Sequence, residues 1–287
     1  MSEQIHKKIL DDIMDDFDAR LESSSKVLEN TITKRILATT TVDELLELRL
    51  EIDRDFQSII LDSIREFMPE LDTIARDTIS NTPGEVTPTD NRVAGELKAQ
   101  AYERLQEEVN TAKSNVHTEI VVGALGGYAL TQVAQNASHA INGFFITVND
   151  VETTRLQNKI KRLKVAGENK SEEINDLMRQ LRKRFQNVSV GGGMYQSVSA
   201  EAHDSVMDFD GVFTIHRARQ AGLKRFKYSG TLIKNSREFC KTHVGNTYTE
   251  EEIRRIWSSQ SWSGKRAGDP FVVRGRERCR HFFIPVE

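Results

Sequence analysis

Residues 236–249 read Ser236-Arg237-Glu238-Phe239-Cys240-Lys241-Thr242-His243-Val244-Gly245-Asn246-Thr247-Tyr248-Thr249, and residues 274–286 read Arg274-Gly275-Arg276-Glu277-Arg278-Cys279-Arg280-His281-Phe282-Phe283-Ile284-Pro285-Val286. Both cysteines of the chain lie here, each with a histidine close behind it: Cys240-x-x-His243 and Cys279-x-His281. This part of the chain reads as short strands mixed with one helix. Lys224–Tyr228 and Phe271–Arg274 are expected to be strands. Thr249 followed by three glutamates opens a helix through Ile253, Ile256 and Trp257, its acids favoured by the helix dipole. Residues 223–287 thus form a small α+β module, with Trp257 and Trp262 filling its core.

The two Cys/His pairs admit three readings. Thiolate and imidazole suit zinc, which takes four ligands in a tetrahedron, and Cys240, His243, Cys279 and His281 could supply all four. A helical turn lets the first pair face one point, and a strand puts Cys279 and His281 on one face. Alternatively, the cysteines are small buried core residues, or they form a disulfide closing the loop between them. The sequence leaves these readings open, and possible zinc is the single cofactor they imply.

The same tail resembles the C-terminal signature of the MuF-like phage head morphogenesis family, the minor head proteins of tailed bacteriophages. The resemblance is carried by Tyr228-Ser229-Gly230; by Arg237, Cys240, Gly245, Tyr248 and Thr249; and by Arg274-Gly275, Cys279-Arg280-His281 and Pro285-Val286. It covers residues 205–287, including the helical His216–Leu223 segment, and departs from the family pattern at Ile233–Ser236 and Arg276. It implies a structural virion protein, portal-proximal, multi-copy and non-enzymatic, assembled in the bacterial host cytoplasm. The implied partners are the phage portal or major capsid protein, further copies of the chain, and packaged DNA through non-specific contacts.

Upstream, the 287 residues carry 29% charged side chains, and mean hydropathy is −0.50. No apolar run approaches the roughly 18 residues a membrane span needs, and the first residues lack the apolar core of a signal peptide. The nearest run, Ile120–Leu130, contains Gly123, Gly126 and Gly127 and reads as a buried helix. Residues 1–80 hold 10 Lys and Arg against 19 Asp and Glu, a net of −9. Residues 211–287 hold 16 against 7, a net of +9. An acidic front and a basic back predict head-to-tail contact between copies, or opposite partners for the two ends.

The fold class is mainly α: long helices and a helical hairpin, followed by the α+β module. The expected divisions are an acidic helical region 1–80, a linker 81–91, a long-helix and hairpin region 92–222, and the module 223–287. In 3–37, Ile5, Ile9, Ile13, Phe17, Leu21, Leu28, Ile32 and Ile36 form the predicted apolar stripe, with Asp11, Asp12, Asp15, Asp16 and Asp18 facing away. Thr41-x-x-Glu44 reads as a capping box for a second helix through Phe67, and Pro69 restarts the chain as a third. Residues 81–91, rich in Pro, Thr and Asn, read as a hinge. Asn142-Gly143 reads as a turn, 151–187 as a helical hairpin, Gly191–Gly193 as a hinge and 197–222 as another helix.

Lys161, Arg162, Lys183 and Arg184 belong to a basic face of the hairpin, and Arg274, Arg276, Arg278 and Arg280 to an alternating string. Both are candidates for contact with DNA phosphates or an acidic partner. Two other functions stay in view. One is an internal protein ejected with the genome and active on the host membrane. The other is a metal-dependent nuclease built on His243 and His281, for which no paired carboxylates stand out beside them.

Overall fold

A computed structural model describes residues 3–38, 42–127, 194–234, 236–262, 265, 267–273 and 279–287. In order these form α1 (Glu3–Ala38), α2 (Val42–Asp55), a π-helical turn (Phe56–Leu61), α3 (Asp62–Phe67), a 3₁₀ turn (Met68–Glu70), α4 (Leu71–Asn81) and α5 (Pro88–Gly127). After residues 128–193 come α6 (Met194–Gln220), β1 (Arg225–Gly230), α7 (Glu238–His243), β2 (Thr247–Thr249), α8 (Glu250–Ser259), α9 (Pro270–Val273) and β3 (His281–Val286). The protein is mainly α with a three-stranded antiparallel sheet of order β2-β1-β3 near its C-terminal end. The 151–187 hairpin, the Asn142-Gly143 turn, Gly191–Gly193 and Thr41 lie outside the described residues.

The chain divides into two compact units that are not consecutive in sequence. One comprises Met1–Arg20, Ser63–Gln106 and Val198–Glu287; the other comprises Leu21–Asp62 and Glu107–Ser197. The divisions therefore fall inside α1, α3, α5 and α6 rather than between elements. In the second unit, Leu28, Ile32, Leu48, Ile52, Phe56 and Ile60 are buried on α1, α2 and the π turn. There Arg35 donates to Asp55 at 2.8 Å and also pairs with Glu51.

In the first unit the α1 stripe differs from its expected course. Ile5 is exposed, and the buried positions are His6, Leu10, Ile13, Met14 and Phe17. Residues four apart advance about 40° around an α-helix, so a series of fours drifts steadily across the face and leaves Ile5 at its exposed margin. Alternating steps of four and three hold the face, and His6 occupies its first position. Phe17 packs on Phe67 with ring centroids 4.5 Å apart. On α6, apolar Val198, Ala202, Val206, Phe209 and Phe213 are buried together with polar Ser199, His203, Asp204, Asp208, Asp210 and Arg217. Buried polar groups need partners, and α6 finds them on α1 and α5. Asp18 accepts from His203 at 3.0 Å and bonds Ser199, while Arg104 donates to Asp208 at 2.7 Å.

The 81–91 segment is a pinned corner rather than a free hinge. Thr87 caps α5 and Pro88 takes the first helical position, where its missing N–H costs nothing. The Thr87 amide donates to Asp90 Oδ2 at 2.7 Å, and the Asp90 amide donates back to Thr87 Oγ1 at 3.3 Å. Arg217, fully buried, donates to Asp90 Oδ2 at 2.9 Å, Glu85 O at 3.1 Å and Gly84 O at 3.2 Å. Burial opposes charge on Asp90, but the Thr87 bonds, Arg217 and His216 together hold its carboxyl below its ordinary range.

In the C-terminal module β1 pairs with both other strands, with Phe226 opposite Tyr248 and Pro285, and Gly230 opposite His281. Phe226, Tyr228, Phe239, Cys240, Ile253, Trp257, Phe271, Cys279 and Phe283 form its core against Ile215 and Ala218 of α6. Burying each of the phenylalanines contributes about 1.5–3 kcal/mol. The helix expected after Thr249 is present as α8, closed by a capping box between Thr249 and Glu252. The strand expected at Phe271–Arg274 is instead the short helix α9. Asp269 starts it, accepting the Phe271 amide on Oδ1 at 3.1 Å and the Val272 and Val273 amides on its backbone oxygen. Pro270 supplies the fixed φ of a first helical residue.

Candidate metal centre

Three of the four proposed ligands meet in the module core. Cys240 sits on α7, whose inner side also carries Phe239. The turn after α7 is fixed to β1: the Gly245 amide, at φ +89°, donates to Tyr228 O at 2.8 Å, and Tyr228 N donates to Asn246 O at 2.9 Å. Cys279 lies two residues before the start of β3, and His281 begins it. Strand alternation puts the two side chains on one face, and Cys279 Sγ lies 3.4 Å from His281 Nδ1. The Cys240 sulfur, the Cys279 sulfur and a His281 ring nitrogen all fall within 4.8 Å of one another. Both cysteines are free thiols.

The cluster is dry, with Cys240, Cys279 and His281 at 2%, 8% and 5% exposure. Tyr228 borders it. Its hydroxyl is 3.4 Å from Cys240 Sγ, and its ring stacks on His281 with centroids 5.5 Å apart at 15°. Gly230 makes the seat for His281. Its φ is +140°, and a β-carbon there would lie 2.8 Å from the His281 Cα and 2.7 Å from its ring. The two thiols are shifted in opposite directions. The Cys279 hydrogen bond and burial push Cys240 up; the Cys240 and His281 hydrogen bonds pull Cys279 down against its burial. Cys279 is the sulfur that carries negative charge most readily.

His243, the fourth candidate, is not brought to this cluster. One residue short of a full turn from Cys240, it directs Nδ1 to the Tyr248 hydroxyl at 2.7 Å and packs on Phe239 at 4.6 Å. Burial lowers its pKa. Sequence spacing put both residues on one helical turn, but only Cys240 points at the strand end where Cys279 and His281 sit.

Arg280, between those two ligands, projects to the opposite side of the strand. It donates to Asp11 at 3.1 Å and Asp15 at 2.9 Å on α1. Lys227 likewise pairs with Glu3 at 2.6 Å. The attraction between acidic front and basic back is thus met, at these residues, within a single chain. Arg274, Arg276, Arg278, Lys161, Arg162, Lys183 and Arg184 lie outside the described residues.

A second polar cluster had no signature in the sequence. His6 Nδ1 is 2.7 Å from Asp77 on α4, and Nε2 is 3.0 Å from Asp210 on α6. Burial opposes the imidazolium, but Asp210 and then Asp77 outweigh it and raise the pKa to about 9. A lone histidine at the head of an apolar stripe carries no sequence signal of two carboxylates arriving from 71 and 204 positions away. A cleft of about 180 Å³ opens beside it, lined by Thr78, Asn81, Thr214 and Phe283–Val286 among others.

Comparison of the chain with protein-family models, with characterised proteins and with solved structures finds no match.

Proposed function

We propose that this chain is a structural virion protein of a tailed bacteriophage, a minor head protein acting near the portal during head morphogenesis, in several copies. One observation carries the reading. The residues that give the C-terminal resemblance are spread over Tyr228–Val286, yet those described belong to one folded module. Tyr228–Gly230 closes β1, Cys240 lies on α7, and Gly245 turns the chain back to β1. Tyr248 and Thr249 lie in β2, and Thr249 caps α8; Cys279 through Val286 lead into and make β3. Residues gathered in one module are what a shared fold signature would have, and this supports the reading.

The physical role is that of a docking body carried on helices, with the portal or capsid wall as the partner. Arg280 is engaged by Asp11 and Asp15, so contact with packaged DNA falls to the remaining candidate arginines and lysines. A nuclease needs carboxylates or another base beside its metal. In the module, Asp269 is instead bound to Arg254 at 2.8 Å, and Glu238 pairs with Lys241. Among the described residues no helix is long and apolar enough to cross a membrane.

The test is to locate the protein in purified particles before and after DNA release. Retention at the portal or wall of emptied particles is the expected result. Loss with the genome assigns it to the ejected proteins instead, and absence from both particles removes the virion role.

A further inference from the structure

We infer that Cys240, Cys279 and His281 bind one structural Zn²⁺ ion, which ties α7 to the start of β3. A tetrahedral zinc, with Zn–S of about 2.3 Å and Zn–N of about 2.0–2.1 Å, separates a sulfur from a nitrogen ligand by about 3.6 Å and two sulfurs by about 3.8 Å. The observed 3.4 Å between Cys279 Sγ and His281 Nδ1 is close to the first of these edges, and all three ligand atoms lie within 4.8 Å of one another, near enough for one ion to gather them. A disulfide requires sulfurs about 2.05 Å apart, and both cysteines are free. A thiol–imidazole hydrogen bond accounts for the Cys279–His281 contact alone; an ion accounts for the arrival of the Cys240 sulfur beside both.

Charge favours the same reading. Two thiolates neutralise Zn²⁺, so the loaded site brings no net charge into the module core, where an unpaired ion would be costly. The Tyr228 hydroxyl lies at hydrogen-bonding distance from the Cys240 sulfur, the arrangement by which outer groups orient ligands. The three side chains leave the fourth position of the tetrahedron to a donor outside the set, and His243, bonded to the Tyr248 hydroxyl, does not fill it. The ion would close the 39-residue span from Cys240 to Cys279 in a module too small for a large apolar core. This inference is independent of the virion role.

The experiment is metal analysis of the full chain, purified anaerobically in reductant without chelator, followed by Co²⁺ replacement. The expected result is about one zinc per chain, a cobalt spectrum with thiolate charge-transfer absorption, and a lower melting temperature after chelation. Cys279→Ser and His281→Gln should lose the metal, while His243→Ala should keep it. Trace zinc in the unaltered chain with two reactive thiols on unfolding, or an oxidised Cys240–Cys279 pair that excludes metal, overturns the inference. Loss of zinc in a folded His243→Ala chain overturns the three-residue ligand set. The wild-type measurement decides the matter even if a cysteine variant fails to fold.

Discussion

Arg217 and Asp90 lie 127 positions apart, yet they form a 2.9 Å ion pair with side chains 1% and 0% exposed. The pair joins α6 to the capped first turn of α5. Arg217 also spans the carbonyls of Gly84 and Glu85, so the loop backbone has buried partners that do not depend on solvent.

Removing one member of such a pair strands the other. Arg217→Ala is expected to lower unfolding free energy by about 3–5 kcal/mol, measured by urea denaturation. Arg217→Lys should recover little of this, because an ammonium cannot reproduce the planar fork that meets carboxylate and carbonyls together. A lysine variant as stable as the parent would show that charge alone suffices.

His6 predicts a pH dependence at the alkaline side. Its folded pKa is raised to about 9 from an ordinary 6.5. The protonated form is therefore preferred by the fold. Its contribution, roughly 3 kcal/mol from the size of that shift, is fully present below pH 6.5 and lost as pH rises through about 9. Melting temperature should fall between pH 7 and 10 in the parent and respond less in His6→Gln. Equal slopes in the two proteins would assign the alkaline loss to other groups.

Gly230 and Gly245 both have positive φ, but their surroundings differ. A β-carbon at Gly245 meets nothing within 4 Å, whereas one at Gly230 overlaps Arg280 O and His281 Cα at 2.8 Å. Gly245→Ala should cost the conformational strain alone, about 1–3 kcal/mol. Gly230→Ala should cost more, because backbone on β3 must move. Denaturation midpoints of the two variants compare them directly.

Arg280→Ala should reduce stability by about 1 kcal/mol, the scale of partly exposed ion pairs. The loss should shrink at high salt, which screens such pairs. Asp11→Asn combined with Asp15→Asn should have a similar effect. A change in DNA affinity with no change in stability would instead return Arg280 to the surface that meets phosphate.

Much was legible in the chain alone. Helical periodicity marked α1, the α2–α3 stretch and α6, and Thr249 with its following glutamates marked the start of α8. Turn residues separated these from the α+β module, because such signals act within a few neighbours. The same locality misled at two prolines. Thr87-Pro88 and Asp269-Pro270 both start helices, where local composition points to a loop over 81–91 and a strand over Phe271–Arg274.

What only tertiary structure decided depends on which residues arrive from far away. His6 between Asp77 and Asp210, Arg217 against Asp90, and Arg280 against Asp11 and Asp15 are each set by packing of elements distant in sequence. So is the choice of Cys240, Cys279 and His281 over His243. Spacing within a turn limits the directions a side chain can take, but burial and the strand that packs opposite select one of them.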